Sequence, residues 1–188
     1  MTGKEIAVRL RATHDALIGA VTALPEGMRT APANGKWSPT QHLEHIRIGL
    51  ALTNKALGLP PILLRWRFGR PNRPGRDYDA LVARYREKLS AGGRAPSRFV
   101  PKQVDENGLK DLQAAITEHV EILARRSGRC SDRRMDSYLV PHPLLGKLTL
   151  RELLYFTCYH AEHHQALIER DVNADQAKIA EEAGAAAV

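Results

Sequence analysis

Cysteine is scarce in this chain: two residues among 188, Cys130 in an Arg-rich loop and Cys158 within an apolar helical stretch. A disulfide framework is therefore not implied, and neither cysteine sits in a zinc-ribbon spacing. Long hydrophobic runs are missing too. No apolar stretch approaches the roughly 20 residues that span a bilayer, which excludes an integral membrane protein of the helical type. The start, Met1-Thr2-Gly3-Lys4-Glu5, enters an amphipathic pattern at once, with no apolar stretch leading to a small-residue cleavage site. No secretion signal is read there, and the expected address is the cytoplasm. Strand-type alternation, internal repeats, and any recognition helix or RNA-binding motif are also lacking.

What is present is ordinary for a globular domain: 43% apolar and 26% charged residues, with enough length for one real core and a long internal connection. The net charge of +7 favours anionic partners of any kind, from nucleic acid to carboxylate-bearing small molecules.

Helical periodicity organises the chain. Ile6, Leu10, Leu17, Val21 and Leu24, with Thr13 between, form one stripe that Pro25 ends. Ser38, Pro39 and Gln41 give a cap, a first-turn proline and a capping box for a second helix through Leu43, Ile46, Leu50 and Leu57, stopped by Gly58 and the Pro60-Pro61 pair. From Pro61 to about Arg76 an excursion reads as a crossover or a functional flap. Asp77 caps an accessory helix through Tyr85 and Leu89. A third main helix carries Leu109, Leu112, Ile116, His119 and Leu123, and the Thr149–Glu152 capping box opens the last, through Leu167 and Ile168. The expectation is an all-α four-helix bundle over 1–175 with a long crossover and an accessory helix, followed by a flexible tail over 176–188.

Histidines carry the chemistry. His160 and His164 stand four apart on one helix, so their rings leave the same face and can reach one metal ion. A third ligand must come from elsewhere, and the second helix offers His42 and His45. Periodicity places His42 nearer the apolar stripe. Three histidines with an open position suit zinc, and imidazole also suits nickel, copper or iron. The ordinary alternative is a pair of satisfied core histidines.

The run Trp37-Ser38-Pro39-Thr40-Gln41, His45-Ile46 after it, His142-Pro143-Leu144-Leu145-Gly146, the Leu148-Thr149 helix start and His160-x-x-x-His164 together resemble the DinB/YfiT superfamily of metal-binding four-helix bundles. In that pattern a ligand lies eight residues after the tryptophan. The resemblance therefore implies His45, His160 and His164 as the metal ligands, with His163 the substitute in a shifted register. Many members carry a glutamine three residues beyond the last ligand, where this chain has Leu167, and Gln165 directly follows His164.

Other groups read more plainly. His119 is expected to be a hydrogen-bonded core residue, His142 a turn residue, and Glu44 and Glu162 solvated. The arginines at 65, 67, 70, 73 and 76, and those at 125, 126, 129, 133 and 134, suit phosphates or a solvated face. The resemblance implies a divalent-metal-dependent enzyme, zinc or nickel being the expected ion, that uses a low-molecular-weight thiol as an S-transferase. The catalytic residues stay open. A hydrolase, a non-catalytic metal-binding bundle and an anion or nucleic-acid binder are the alternatives. The expected partners are a small-molecule substrate and a second copy of the chain, ahead of nucleic acid, with no membrane.

Overall fold

The computed structural model describes residues 1–186. Each main helix begins where a short polar side chain satisfies the amides its first turn leaves free. Thr2 and Glu5 form a capping box at α1 (Gly3–Thr22), and Ser38 and Gln41 form another at α3 (Pro39–Gly58), with Pro39 in the first turn. Asp77 accepts from Ala80 N at the start of α5 (Tyr78–Ser90), and Asp105 from Gly108 N at the start of α6 (Glu106–Arg129). The final helix, α8, runs Leu150–Ala186. It continues into the stretch 176–188 expected as a tail, whose positions 187 and 188 lie outside the described residues.

The protein is mostly helical, as the periodicity indicates. Helix α1 packs on α6 and α8, and α3 packs on the same two, so α1 and α3 lie on opposite sides of a shared core. The predicted stripes are the ones buried: Ile6, Leu10, Leu17 and Val21 from α1, Leu43, Ile46 and Leu50 from α3, and Leu109, Leu112, Ile116 and Leu123 from α6. On α6 the stripe passes through Val120, while His119 is half-buried at its edge.

Three local features depart from the sequence reading. The excursion after Pro61 contains a helix, α4 (Pro61–Phe68), seated through Leu64 with Ile62 and Trp66 exposed. Short helices also form at α2 (Glu26–Thr30) and α7 (Asp132–Ser137). Between α7 and α8 lies an antiparallel hairpin, β1 (Leu139–His142) and β2 (Gly146–Thr149), with Val140 opposite Leu148 and His142 opposite Gly146. Two four-residue strands joined by a tight turn are too short to show alternation above background. Gly146, at φ 75°, supplies the left-handed conformation that the turn needs.

The hairpin is tied to the long crossover by one buried carboxylate. Glu152 has no solvent exposure, closes the capping box with Thr149, and receives Arg73 Nη1 at 2.8 Å, Arg73 Nη2 at 3.0 Å and the Arg76 backbone N–H at 3.0 Å. Burial pushes its carboxyl up, but the bonds from Arg73 and from the Thr149 and Arg76 amides outweigh that and hold it below the ordinary range. Two of the loop arginines are thus structural rather than free for phosphates. Replacing Glu152 with Ala leaves both cations without their buried partner, and unfolding in urea is expected to show a loss of about 3–5 kcal/mol. A loss below about 1 kcal/mol, the level of a surface pair, would contradict this role.

Candidate metal centre

Helix α3 presents His42 and His45 one turn apart, and α8 presents His160 and His164 across from them; all four are buried. The α3–α8 contact brings three of these rings to one point. His160 Nε2 lies 3.1 Å from His45 Nε2 and 3.1 Å from His164 Nε2, and the ligand atoms of the three residues fall within 4.8 Å of one another. Nitrogens bound tetrahedrally at a metal–nitrogen distance of about 2.0–2.1 Å stand about 3.3 Å apart. The spacing fits a shared cation.

The protons of the cluster are placed accordingly. His45 Nδ1 is 2.7 Å from the Phe99 carbonyl, an acceptor only, so Nδ1 carries the hydrogen and Nε2 faces the cluster as a bare lone pair. His164 Nδ1 is 2.7 Å from His42 Nδ1. With the proton on His164 Nδ1, its Nε2 is free for metal and His42 becomes the acceptor behind it, the kind of outer support that fixes a ligand's tautomer. The three-residue cluster holds His45, whereas His42, which periodicity placed nearer the apolar stripe, stands behind His164. The Nε2 of His42 is buried without a partner among the described residues, and its ring packs against Trp37 at a centroid distance of 5.6 Å. Trp37 also packs against His45 at 5.1 Å and stacks on His164 at 6.3 Å, so the residue that begins the motif roofs the site.

Burial holds these imidazoles neutral. His160 and His164 are pushed well below the ordinary value by desolvation, with like-charged neighbours adding to it; His45 is lowered by desolvation, and His42 is lowered to about 4 by the same cause. Neutral rings are the form that binds a metal.

The remaining candidates stand apart. His163 is half-buried against Tyr85 and Tyr159, at ring distances of 5.8 and 6.2 Å, and is not in the three-residue cluster. His119 is held by Asn54, whose Nδ2 donates to its carbonyl at 2.9 Å. Gln165 bonds Glu169 on the surface. The Cys158 thiol, pushed up to about 12 by burial, stays protonated. Glu44 and Glu162 are not simply solvated: Arg47 pairs with the first at 2.7 Å, and Arg9 at 2.9 Å and the Tyr78 hydroxyl at 3.0 Å hold the second. Arg151 is likewise engaged by Asp132 and Asp136.

Beside the cluster opens a cavity of about 450 Å³, reaching His45 and His160 and walled by α3, α5, the 95–99 linker, the hairpin and α8. Two residues on it escaped the sequence reading. Tyr85 appeared only as one aromatic of an accessory stripe, yet it lines this cavity and its hydroxyl has no hydrogen-bond partner among the described residues. His142, read as a turn residue, does brace the turn and also lines the cavity.

A mostly helical protein with three buried imidazoles converging beside an open cavity defines a helical, histidine-built metal-site architecture. Compared with known families, the chain matches the DinB superfamily over residues 9–168 and belongs to it. Members of that superfamily bind metals. Comparisons with curated proteins and with solved structures give no match.

Acid should weaken the metal-free fold. His14, fully buried, is lowered from 6.5 to about 4 by desolvation and is neutral when folded. Between those values the unfolded chain binds the proton and the folded one does not. The stabilisation is complete above pH 6.5 and is lost as pH falls through 4, by roughly 3 kcal/mol for such a shift. Urea midpoints of metal-free protein should fall steeply across that window; flat midpoints would contradict neutral buried imidazoles.

Proposed function

We propose that this chain is a divalent-metal-dependent enzyme with His45, His160 and His164 as its ligands, and that it transfers a low-molecular-weight thiol to an electrophile. Zinc or nickel is the ion that the donor set suits best. The observation that carries the reading is the convergence of three Nε2 atoms beside a cavity that reaches two of their rings. A structural site would be closed by a fourth protein ligand. No further His, Cys, Asp or Glu among the described residues joins the three, which supports catalysis over a closed scaffold.

The chain's own residues then do recognisable work. Phe99 and His42 orient His45 and His164 through their Nδ1 atoms, and Phe156, stacked on His160 at 4.7 Å, fixes that ring. Trp37 shields one side of the cluster from water, so access runs through the cavity. An ion held there supplies Lewis acidity, lowering the pKa of a coordinated thiol and leaving positions open to an electrophile. The same ligands would serve a hydrolase with water in place of thiol. The arginine-loop alternative is weaker, since Arg73 and Arg76 are already engaged by Glu152. A homodimer in the cytoplasm completes the proposal.

Cobalt-loaded protein titrated with a low-molecular-weight thiol tests the reading. A sulfur-to-cobalt absorption band is expected in wild type and absent from His45→Ala, His160→Ala and His164→Ala. Cobalt binding without any such band would favour the hydrolase; protein that takes up no cobalt, zinc or nickel would sink both.

A further inference from the structure

We propose that the 450 Å³ cavity takes an acyl-type ligand, an apolar body carrying a carboxylate, whose oxygens accept hydrogen bonds from Tyr85 and His142. The inference rests on the reading of His45, His160 and His164 as the reactive centre to which such a ligand is brought. The cavity walls are largely hydrocarbon and aromatic, from Leu52, Leu59, Phe68, Leu89, Phe99 and Phe156. That volume lies within the range of small-molecule sites, where apolar walls bind and a few placed polar groups orient.

The polar groups favour one ligand chemistry. His142 Nδ1 accepts the backbone N–H groups of Leu144 at 3.3 Å and Leu145 at 3.2 Å, so its proton sits on Nε2, as a donor. The Tyr85 hydroxyl, on a residue only 5% exposed, has no protein partner among the described residues. The hydroxyl is not among the fully enclosed unpartnered atoms, so it stays open to the cavity, where a ligand or water can complete it. Lys55 and Arg98 are the charged residues on the lining; both are exposed, and neither forms an ion pair among the described residues. Among the described residues no carboxylate lines the cavity. A ligand with acceptor oxygens and negative charge satisfies these groups; an amine would face only like charge.

Titration calorimetry with decanoate, decanol and decylamine, on protein with and without zinc, tests this. Decanoate should bind at least about tenfold tighter than either analogue, the size of one hydrogen bond to a charged group. Tyr85→Phe, and His142→Asn, which keeps an acceptor for the turn but deletes the Nε2 donor, should each erase most of that preference. Equal binding of the three compounds, no binding of decanoate, or unchanged preference in both variants would overturn the assignment. Zinc binding without decanoate preference fails this inference alone; decanoate preference without zinc binding fails the metal reading and leaves the cavity assignment standing.

A separate observation concerns His160. We infer that a single buried water joins its Nδ1 to His14, making His14 a positioning residue for the metal ligand. His14 Nδ1 lies 2.7 Å from the Leu10 carbonyl and carries the proton, so its fully buried Nε2 is a lone pair without a partner among the described residues. A cavity of about 20 Å³ is lined by His14, Thr53, Thr157 and His160 on one side and by apolar residues, Ile46, Leu50 and Phe156 among them, on the other. It has room for one water, which needs about 10–15 Å³ and two to four polar partners. Gly49 lines it too, and a Cβ there would stand in ordinary contact with the His160 ring, 3.8 Å from Nδ1. With His160 Nε2 turned to the cluster, Nδ1–H donates to the water, which donates in turn to His14 Nε2 and to a threonine hydroxyl.

Zinc affinity measured by chelator competition reads the relay. His14→Phe should lose about tenfold to a hundredfold, the usual effect of removing an outer partner of a ligand, and His14→Gln, which can return an acceptor to the same place, should recover part of it. Unchanged affinity in His14→Phe, or a high-resolution crystal structure of wild type with no ordered water in this cavity, would overturn it.

Discussion

Three imidazole lone pairs that face one another inside a protein repel, and they have left water to get there. Nothing in hydrophobic packing rewards that arrangement. It persists because two of the rings are held from outside the cluster: the Phe99 carbonyl accepts the His45 Nδ1 proton, and His42 shares a hydrogen bond with His164 through their Nδ1 atoms. Each bond depends on a different part of the chain, the 95–99 linker in one case and the first turn of α3 in the other. The fold is in this sense a device for holding three neutral nitrogens 3.1 Å from their neighbours until a cation offsets the repulsion.

Helix α8 is the element on which this turns. Its start is fixed by Glu152, buried beneath Arg73 and Arg76, and about two and three turns later the same helix delivers His160 and His164 to the cluster. The crossover that supplies those arginines also ends in α5, whose Tyr85 reaches the cavity, while the hairpin that precedes α8 contributes His142. Excursion and hairpin, which seat Leu64, Leu81, Val140 and Leu148 in the core, therefore also build the wall of the site.

The main helices and the three histidines were legible in the sequence for physical reasons. Capping boxes at Ser38 and Thr149 mark where helices begin, and an i, i+4 pair of histidines defines a face. Resemblance was needed to prefer His45 over His42, because both are buried on α3 and a helical wheel cannot distinguish a ring aimed at the cluster from one that supports it. Local signals were too weak for the hairpin, whose strands have four residues each. Tyr85, His142 and His14 were missed as site residues since their roles come from what stands opposite them in space. The loop arginines looked available as a charge run, yet Arg73 and Arg76 are consumed by one carboxylate from a distant helix.

X-ray absorption at the metal edge of zinc-loaded protein addresses the central claim most directly. The account predicts one zinc per chain with three imidazole nitrogens at about 2.0–2.1 Å and one solvent oxygen in the remaining position, the imidazole signal falling to two on His160→Ala. A zinc environment dominated by sulfur or carboxylate oxygen, or one unchanged by that substitution, would contradict it.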